Sequence, residues 1–254
     1  MRVSLVIPAR DEAASVGAVV AEMRRQPLAG ARLVEVVVVD NGSRDATARH
    51  ARAAGARVVS EPRAGYGRAC LAGLAALAAD PPDAVVFADA DASDDPADLP
   101  ALLAPLVHDR ADLVIGSRRL GQLAGRVERG ALLPQARWGN ALACSLMRLR
   151  WGARFTDLGP FRAIRWGALQ RLGMRDQTFG WTVEMQVRAL RAGLRWAEVP
   201  VAYRRRVGRS KISGTVHGTV RAGATILWTV AAHALRGPLP SGGAPPTDGG
   251  ESAG

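Results

Sequence analysis

The sequence predicts an α/β fold with a mostly parallel central sheet and helices on both faces. Three observations carry that expectation. Short apolar runs recur through the first half of the 254-residue chain. Segments with apolar residues at helical spacing lie between them, so strand, helix and strand alternate. Three of the runs end in acidic or polar loops, and in such folds ligands bind at the carboxyl ends of strands.

The first run, residues 3 to 7, meets Pro8-Ala9-Arg10-Asp11-Glu12. A helix is expected over 12 to 25, where Val16, Val19, Val20 and Met23 fall at helical intervals. Residues 34 to 39 form the second strand, stopped by Asp40-Asn41-Gly42-Ser43. There follow a helix from about 47 to 54, a strand near Val58-Val59, an alanine-rich helix from 67 to 79 and a strand at 84 to 88 that reaches Asp89-Ala90-Asp91. Residues 112 to 116 give a further strand, then a basic, glycine-containing loop from 116 to 130 and a helix from about 134 to 150. Helices near 166 to 172 and 182 to 192 precede a last strand at 195 to 201. Residues 1 to 236 are expected to form one domain. Residues 237 to 254, rich in Gly, Pro and Ser, are expected to be a disordered tail.

Composition narrows the function. With 48% hydrophobic residues the chain is long enough to bury a large core. The net charge of +11 comes from 34 basic residues, all arginine except Lys211. Only 5% of residues are aromatic, and no zinc spacing or base-stacking pattern is present, which argues against a nucleic-acid partner. Phosphate-bearing small molecules and an anionic membrane surface remain. Cys70 and Cys144 sit in Ala/Leu-rich stretches and read as buried thiols, and the N-terminal apolar run is too short for a signal peptide, so a cytoplasmic address is expected. No stretch reaches the roughly 18 uninterrupted apolar residues that a span requires. The nearest, 222 to 235, follows the basic run Tyr203 to Lys211. Docking on an anionic bilayer at the inner face of the membrane and packing on the domain are both open to it.

Two carboxylates at a strand end can hold a divalent cation against a diphosphate whose charge grows as it departs. Asp89 and Asp91 meet that need. An Asp-x-Asp triplet alone is common; its position beside two other converging strand-end loops is what makes it informative. A nucleotidyltransferase would instead want a Gly-rich, Lys-bearing loop directly after the first strand, and Pro8 to Glu12 contains none.

The chain resembles the family 2 inverting glycosyltransferases with the GT-A fold, a Rossmann-like architecture, and within them the dolichol- and polyprenyl-phosphate sugar synthases. The matching segments, in family order, are Val6-Ile7-Pro8-Ala9-Arg10-Asp11-Glu12, Val39-Asp40-Asn41-Gly42-Ser43-Arg44-Asp45-Ala46-Thr47, Ala88-Asp89-Ala90-Asp91, Gly116-Ser117-Arg118, Thr156-Asp157-Leu158-Gly159-Pro160-Phe161-Arg162-Ala163 and Arg209-Ser210-Lys211-Ile212-Ser213-Gly214. The resemblance implies transfer of a hexose from a UDP- or GDP-linked donor. It implies that Pro8, Asp11, Glu12 and Asp40 line the nucleoside pocket, and that Asp89 and Asp91 hold Mg²⁺ or Mn²⁺. Asp40 is equally placed to cap a helix. Arg205, Arg209 and Lys211 would close over the diphosphate or form a solvated basic run. Ser117, Arg118 and Arg137 would meet the acceptor. Asp157 would act as general base on a hydroxyl acceptor or orient the sugar for a phosphate acceptor. Glu184 is a second candidate, with a capping or ion-pair role as its alternative. The chain departs from the lipid-phosphate branch at Ser93, where glutamine is common, and at Ala136, where serine is common. A polyprenyl phosphate is the leading acceptor and a soluble or polysaccharide hydroxyl the alternative. Oligomeric state is not legible.

Overall fold

A computed structural model describes residues 1–208 together with Trp228, Thr229, Ala231 and Ala232. Seven strands form one sheet: β1 (Arg2–Ala9), β2 (Arg32–Asp40), β3 (Arg57–Ser60), β4 (Ala84–Phe87), β5 (Leu113–Ser117), β6 (Arg162–Arg165) and β7 (Trp196–Pro200). Their spatial order is β3-β2-β1-β4-β6-β5-β7. All neighbouring pairs are parallel except those of β6, which runs antiparallel to both β4 and β5.

The helices are α1 (Val16–Arg25), α2 (Thr47–Ala53), α3 (Tyr66–Leu77), α4 (Leu99–Val107), α5 (Arg118–Leu123), α6 (Pro134–Trp151), α7 (Trp166–Leu172) and α8 (Trp181–Arg191). Continuous apolar strands become two cores because successive side chains point to opposite faces. Val37, Val39, Val85, Phe87, Leu113 and Ile115 join one core with residues of α3, α6, α7 and α8. Val36, Val38, Val86 and Val114 join the other with α1, α2 and α4. Trp181 of α8, fully buried, meets the Phe87 ring edge to face at 5.8 Å.

One expectation needs correction, the loop from 116 to 130, and two elements, residues 99 to 107 and 162 to 165, were not expected from the sequence. Residues 99 to 107 are helical, although their prolines resemble breakers; Pro100 lies in the first turn, where no amide hydrogen is needed, and Pro105 in the last. The loop from 116 to 130 begins with α5, capped by Ser117 Oγ, which accepts from the Leu120 amide at 3.0 Å. Residues 162 to 165 form a strand because Arg162, fully buried, satisfies its guanidinium on the carbonyls of Leu158, Gly159 and Thr182. Burial pulls that guanidinium down to about 10. The 237 to 254 tail, Arg209, Lys211 and most of 222 to 235 lie outside the described residues.

The reversal of β6 matters for function. Phe87 at the end of β4 and Ile115 near the end of β5 both pair with Arg162 at the start of β6. The segment leading into β6, residues 155 to 161, therefore lies on the same sheet edge as the ends of the parallel strands.

Candidate active site

Two clefts open on that edge. The first, about 510 Å³, is lined by Pro8, Glu12 and Asn41 from the β1 and β2 ends, by Gly65 and Tyr66 at the start of α3, and by Asp89 and Asp91 beyond β4, with Tyr203 and Arg206 opposite. The turn after β4 is built from its own carboxylates. Asp94 accepts from the Asp89 amide at 3.1 Å, and Asp91 Oδ1 accepts from the amide and hydroxyl of Ser93. Ala92 takes a left-handed conformation, φ 62°, to complete the turn. Ser93 is thus a support for Asp91, fully buried beneath it.

This cluster is electrostatically frustrated without a cation. Burial, with Asp91 and Asp94 nearby, pushes the Asp89 carboxyl well above the usual carboxylate range. Burial also pushes Asp94 up to about 7, against the hydrogen bond from Asp89 and with Asp91 adding to the rise. Asp94 Oδ1 is buried with no hydrogen-bond partner. Such hard oxygen donors suit Mg²⁺ or Mn²⁺. No group of three or more His, Cys, Asp or Glu residues among those described makes a complete cation site, so phosphate oxygens and water would have to complete the coordination. Arg206 supplies the positive charge: its Nη2 lies 2.8 Å from Asp91 Oδ2 and 3.5 Å from Glu12 Oε1.

The strap that carries Arg206 is laced to this turn, with the Arg204 amide donating to Ser93 O and the Val207 amide to Asp91 O, both at 2.9 Å. Arg205, expected at the donor, points away: its guanidinium donates to Arg129 O at 2.8 Å and lies 3.4 Å from Glu128. Asp11 and Asp40 do not line the cleft. Asp11, at φ 50°, accepts from the Arg44 amide at 2.7 Å, and Asp40 accepts from the Ser43 amide at 3.1 Å, so both shape the loops behind it. Asn41 does face the cleft and braces its wall, donating to the carbonyls of Glu61 and Arg63 and accepting from the Gly65 amide. An Asn in a strand-end turn reads as a turn former, which hid this role.

The second cleft, about 480 Å³, lies between α5, α6 and the 156–157 segment and is lined by Arg118, Gln122, Pro134, Arg137, Trp138 and Asp157 among others. Its floor is a bidentate ion pair. Arg118 donates from Nε to Asp157 Oδ2 at 2.8 Å and from Nη2 to Oδ1 at 2.7 Å, and its amide adds a third bond to Oδ2. The Leu158 amide also donates to Oδ1. Burial opposes the Arg118 charge, but Asp157 outweighs it and the net shift is upward. Tyr203 lies under the same guanidinium, 5.2 Å from its ring centre, so one side chain adjoins both clefts.

Two residues not singled out from sequence hold Asp157 in place. Asn140 donates to Thr156 O and accepts from the Leu158 amide, and Glu198 of β7 accepts from the amides of Thr156 and Asp157. Burial raises the Glu198 carboxyl despite those bonds. Of the expected acceptor residues, Arg118 and Arg137 line the cleft, whereas Ser117 is buried as the α5 cap. Glu184 is not at either cleft: its carboxylate binds the amides of Arg175 and Asp176 and the Arg188 guanidinium at 2.7 Å. Its role is structural, because it fixes the turn that presents Thr178 and Phe179 to the first cleft.

A doubly wound sheet with one reversed strand, an Asp-x-Asp turn at its carboxyl edge and two adjoining clefts is the architecture of the GT-A class. The chain belongs to glycosyl transferase family 2, whose model matches residues 4–173. An uncharacterised glycosyltransferase of Mycobacterium tuberculosis is 41% identical over 219 residues, covering 86% of this chain and 93% of that protein. A dolichyl-phosphate hexose transferase of Haloferax volcanii is 34% identical over 212 residues, 82% of this chain and 86% of that one. The crystal structure of glucosyl-3-phosphoglycerate synthase from Mycobacterium tuberculosis with Mn²⁺, UDP and phosphoglyceric acid matches with a TM-score of 0.71 at 25% identity, covering 92% of this chain and 78% of that one. The same enzyme with Mg²⁺ and UDP matches at 0.69 and 26%, covering 92% and 79%.

Proposed function

We propose that this glycosyltransferase moves a hexose, with inversion, from a UDP- or GDP-linked donor onto the phosphate of a polyprenyl or dolichyl phosphate. The observation that carries the acceptor half is the state of Asp157. Both of its oxygens accept from Arg118 and from backbone amides. A general base needs a free lone pair within reach of the hydroxyl proton, whereas a phosphate acceptor is already an anionic nucleophile and needs none. Arg118, planar and bidentate, suits the phosphate oxygens. In this reading Asp157 orients Arg118 and so fixes the attacking oxygen relative to the sugar.

The donor diphosphate belongs in the first cleft. Asp89 and Asp91 would hold Mg²⁺ or Mn²⁺, which neutralises the departing diphosphate when bound. Arg206 is a protein cation within reach of that charge, and Arg209 and Lys211, which lie outside the described residues, would add to it by the expectation from sequence. Pro8, Glu12 and Asn41 wall the nucleoside side, with Asp11 and Asp40 setting the loop that carries it.

A soluble phosphorylated acceptor is the second reading, favoured by the likeness to an enzyme crystallised with phosphoglyceric acid. Incubation with labelled UDP- and GDP-hexoses, Mn²⁺ and either polyprenyl phosphate or 3-phosphoglycerate separates the two. Label entering the organic phase only with the lipid supports the first; label confined to water-soluble product replaces it with the second.

A further inference from the structure

We propose that the outward face of α6 is a membrane-docking surface that sets the mouth of the acceptor cleft on an anionic bilayer, an inference that rests on the lipid-phosphate reading above. The helix has 18 residues, yet only Ala143, Cys144 and Met147 are buried. At about 100° per residue these three fall within roughly 100° on one side of the helix. Trp138, Leu142 and Leu149 lie within roughly 40° of one another on the opposite side. They are 79%, 48% and 85% exposed. A helix that faces water with such residues carries a second apolar stripe in addition to the one it spends on its own core.

The surroundings identify the occupant. From Arg118 to Arg154 the chain holds eight arginines and a single acidic residue, Glu128. Arg137, Arg148 and Arg150 flank the apolar stripe on α6 and are exposed. An apolar stripe bordered by long cationic side chains is the pattern of a helix lying in a headgroup layer, with its apolar residues in the acyl boundary and its arginines against anionic lipid. A second copy of this chain would bring the same arginines against each other. No described helix is long and apolar enough to cross a membrane, so contact of this kind would lie along the surface.

The position of the cleft ties the surface to the reaction. Trp138 lines the acceptor cleft and belongs to the exposed stripe, and Arg137 beside it lines the same cleft. Leu123 of α5, 72% exposed, follows Gln122 of the cleft wall. A lipid phosphate held at Arg118 would thus leave the cleft over Trp138 and along an apolar helix face, so that its chain need never cross water.

The test uses the full chain, Leu142→Gln/Leu149→Gln, and sedimentation with phosphatidylcholine vesicles containing or lacking phosphatidylglycerol. Neither leucine lines a cleft, and both are exposed, so the fold should be unaffected. The wild type should bind the anionic vesicles, lose most binding in 0.5 M salt, where the screening length falls to about 4 Å, and bind about tenfold more weakly as the double variant. Transfer to a short, water-soluble isoprenyl phosphate should be equal in both, while transfer to a long-chain phosphate in vesicles should fall with binding. Equal vesicle binding by wild type and variant, or no preference for the anionic vesicles, overturns the proposal. So does a wild-type dimer that the double substitution converts to a monomer. Absence of transfer to either isoprenyl phosphate overturns the lipid-phosphate reading, while sedimentation still reports on the surface itself.

Discussion

Replacing Asp157 with Asn separates its two conceivable roles, because the residue is at once a buried ion-pair partner and a carboxylate lining the second cleft, the one proposed for the acceptor. The Asp157 side chain is 3% exposed and that of Arg118 18%, and the substitution sets an amide NH₂ against a guanidinium that can only donate. Breaking one side of a buried pair typically costs about 3–5 kcal/mol, since the surviving charge is left uncompensated. For a chain of this length, at about 2–4 °C per kcal/mol, that corresponds to a fall in thermal midpoint of roughly 6–20 °C. Asp94 is among the groups that hold the Arg118 charge, which favours the lower end of the range. If Asp157 only positions Arg118, transfer should slow about 10- to 100-fold with the shape of the pH–rate profile retained and the acceptor KM raised. A general base would instead account for about 10²- to 10⁴-fold and would remove the acidic limb of the profile. Steady-state rates across pH, measured with saturating donor beside a thermal melt, decide between them. Loss of the acidic limb with an unchanged melting temperature would refute the positioning role.

Asp89 and Asp94 make metal-free stability fall as pH rises: a carboxyl whose folded value is raised favours the fold at low pH and loses that contribution through its folded value, about 7 for Asp94. Scanning fluorimetry in EDTA should therefore show a declining midpoint from pH 5 to 8, a gain from Mn²⁺ that grows over the same interval, and a flatter curve for Asp94→Asn. Arg206→Ala should raise the donor KM about tenfold, in line with loss of one charge-assisted contact, and should tighten Mn²⁺ binding without nucleotide by calorimetry. Arg205→Ala should change stability by no more than about 0.5 kcal/mol and leave the donor KM unaltered, as befits an exposed pair. Asn140→Ala removes two hydrogen bonds from the 156–158 segment and should cost about 2 kcal/mol by denaturant melt, with acceptor KM rising more than donor KM.

Much of the fold was legible because parallel strands buried on both faces read as continuous valine runs, and 36 to 39 is one. β6 was not, because Arg162 and Arg165 bracket only two apolar residues, and nothing local shows that three carbonyls await the first guanidinium. The site divides the same way. Asp89 and Asp91 follow a strand and so had an address. The distinction between Arg205 and Arg206 depends on how an irregular strap lies across two neighbours: Arg204 and Arg206 meet the 91–95 turn at Asp95 and Asp91, and Arg205 meets Glu128. Alternation along extended backbone was the available signal. Glu198 and Asn140 act through backbone amides some 40 and 20 residues away, which no local pattern encodes.

The reversed strand also sorts the reaction along the gene. The carboxylates of the first cleft lie before residue 95, whereas the second cleft, proposed for the acceptor, is lined by one uninterrupted stretch between the end of β5 and the start of β6, residues 117 to 161, returned to the same rim by the antiparallel turn. A single exchange of that stretch could supply a different acceptor without disturbing nucleotide chemistry, provided Glu198 still found two amides to bind. Diversification within such a scaffold would proceed by replacing a cassette rather than by scattered substitution. A chimera carrying only the 117–161 stretch of a relative is accordingly the smallest unit in which acceptor choice should be heritable.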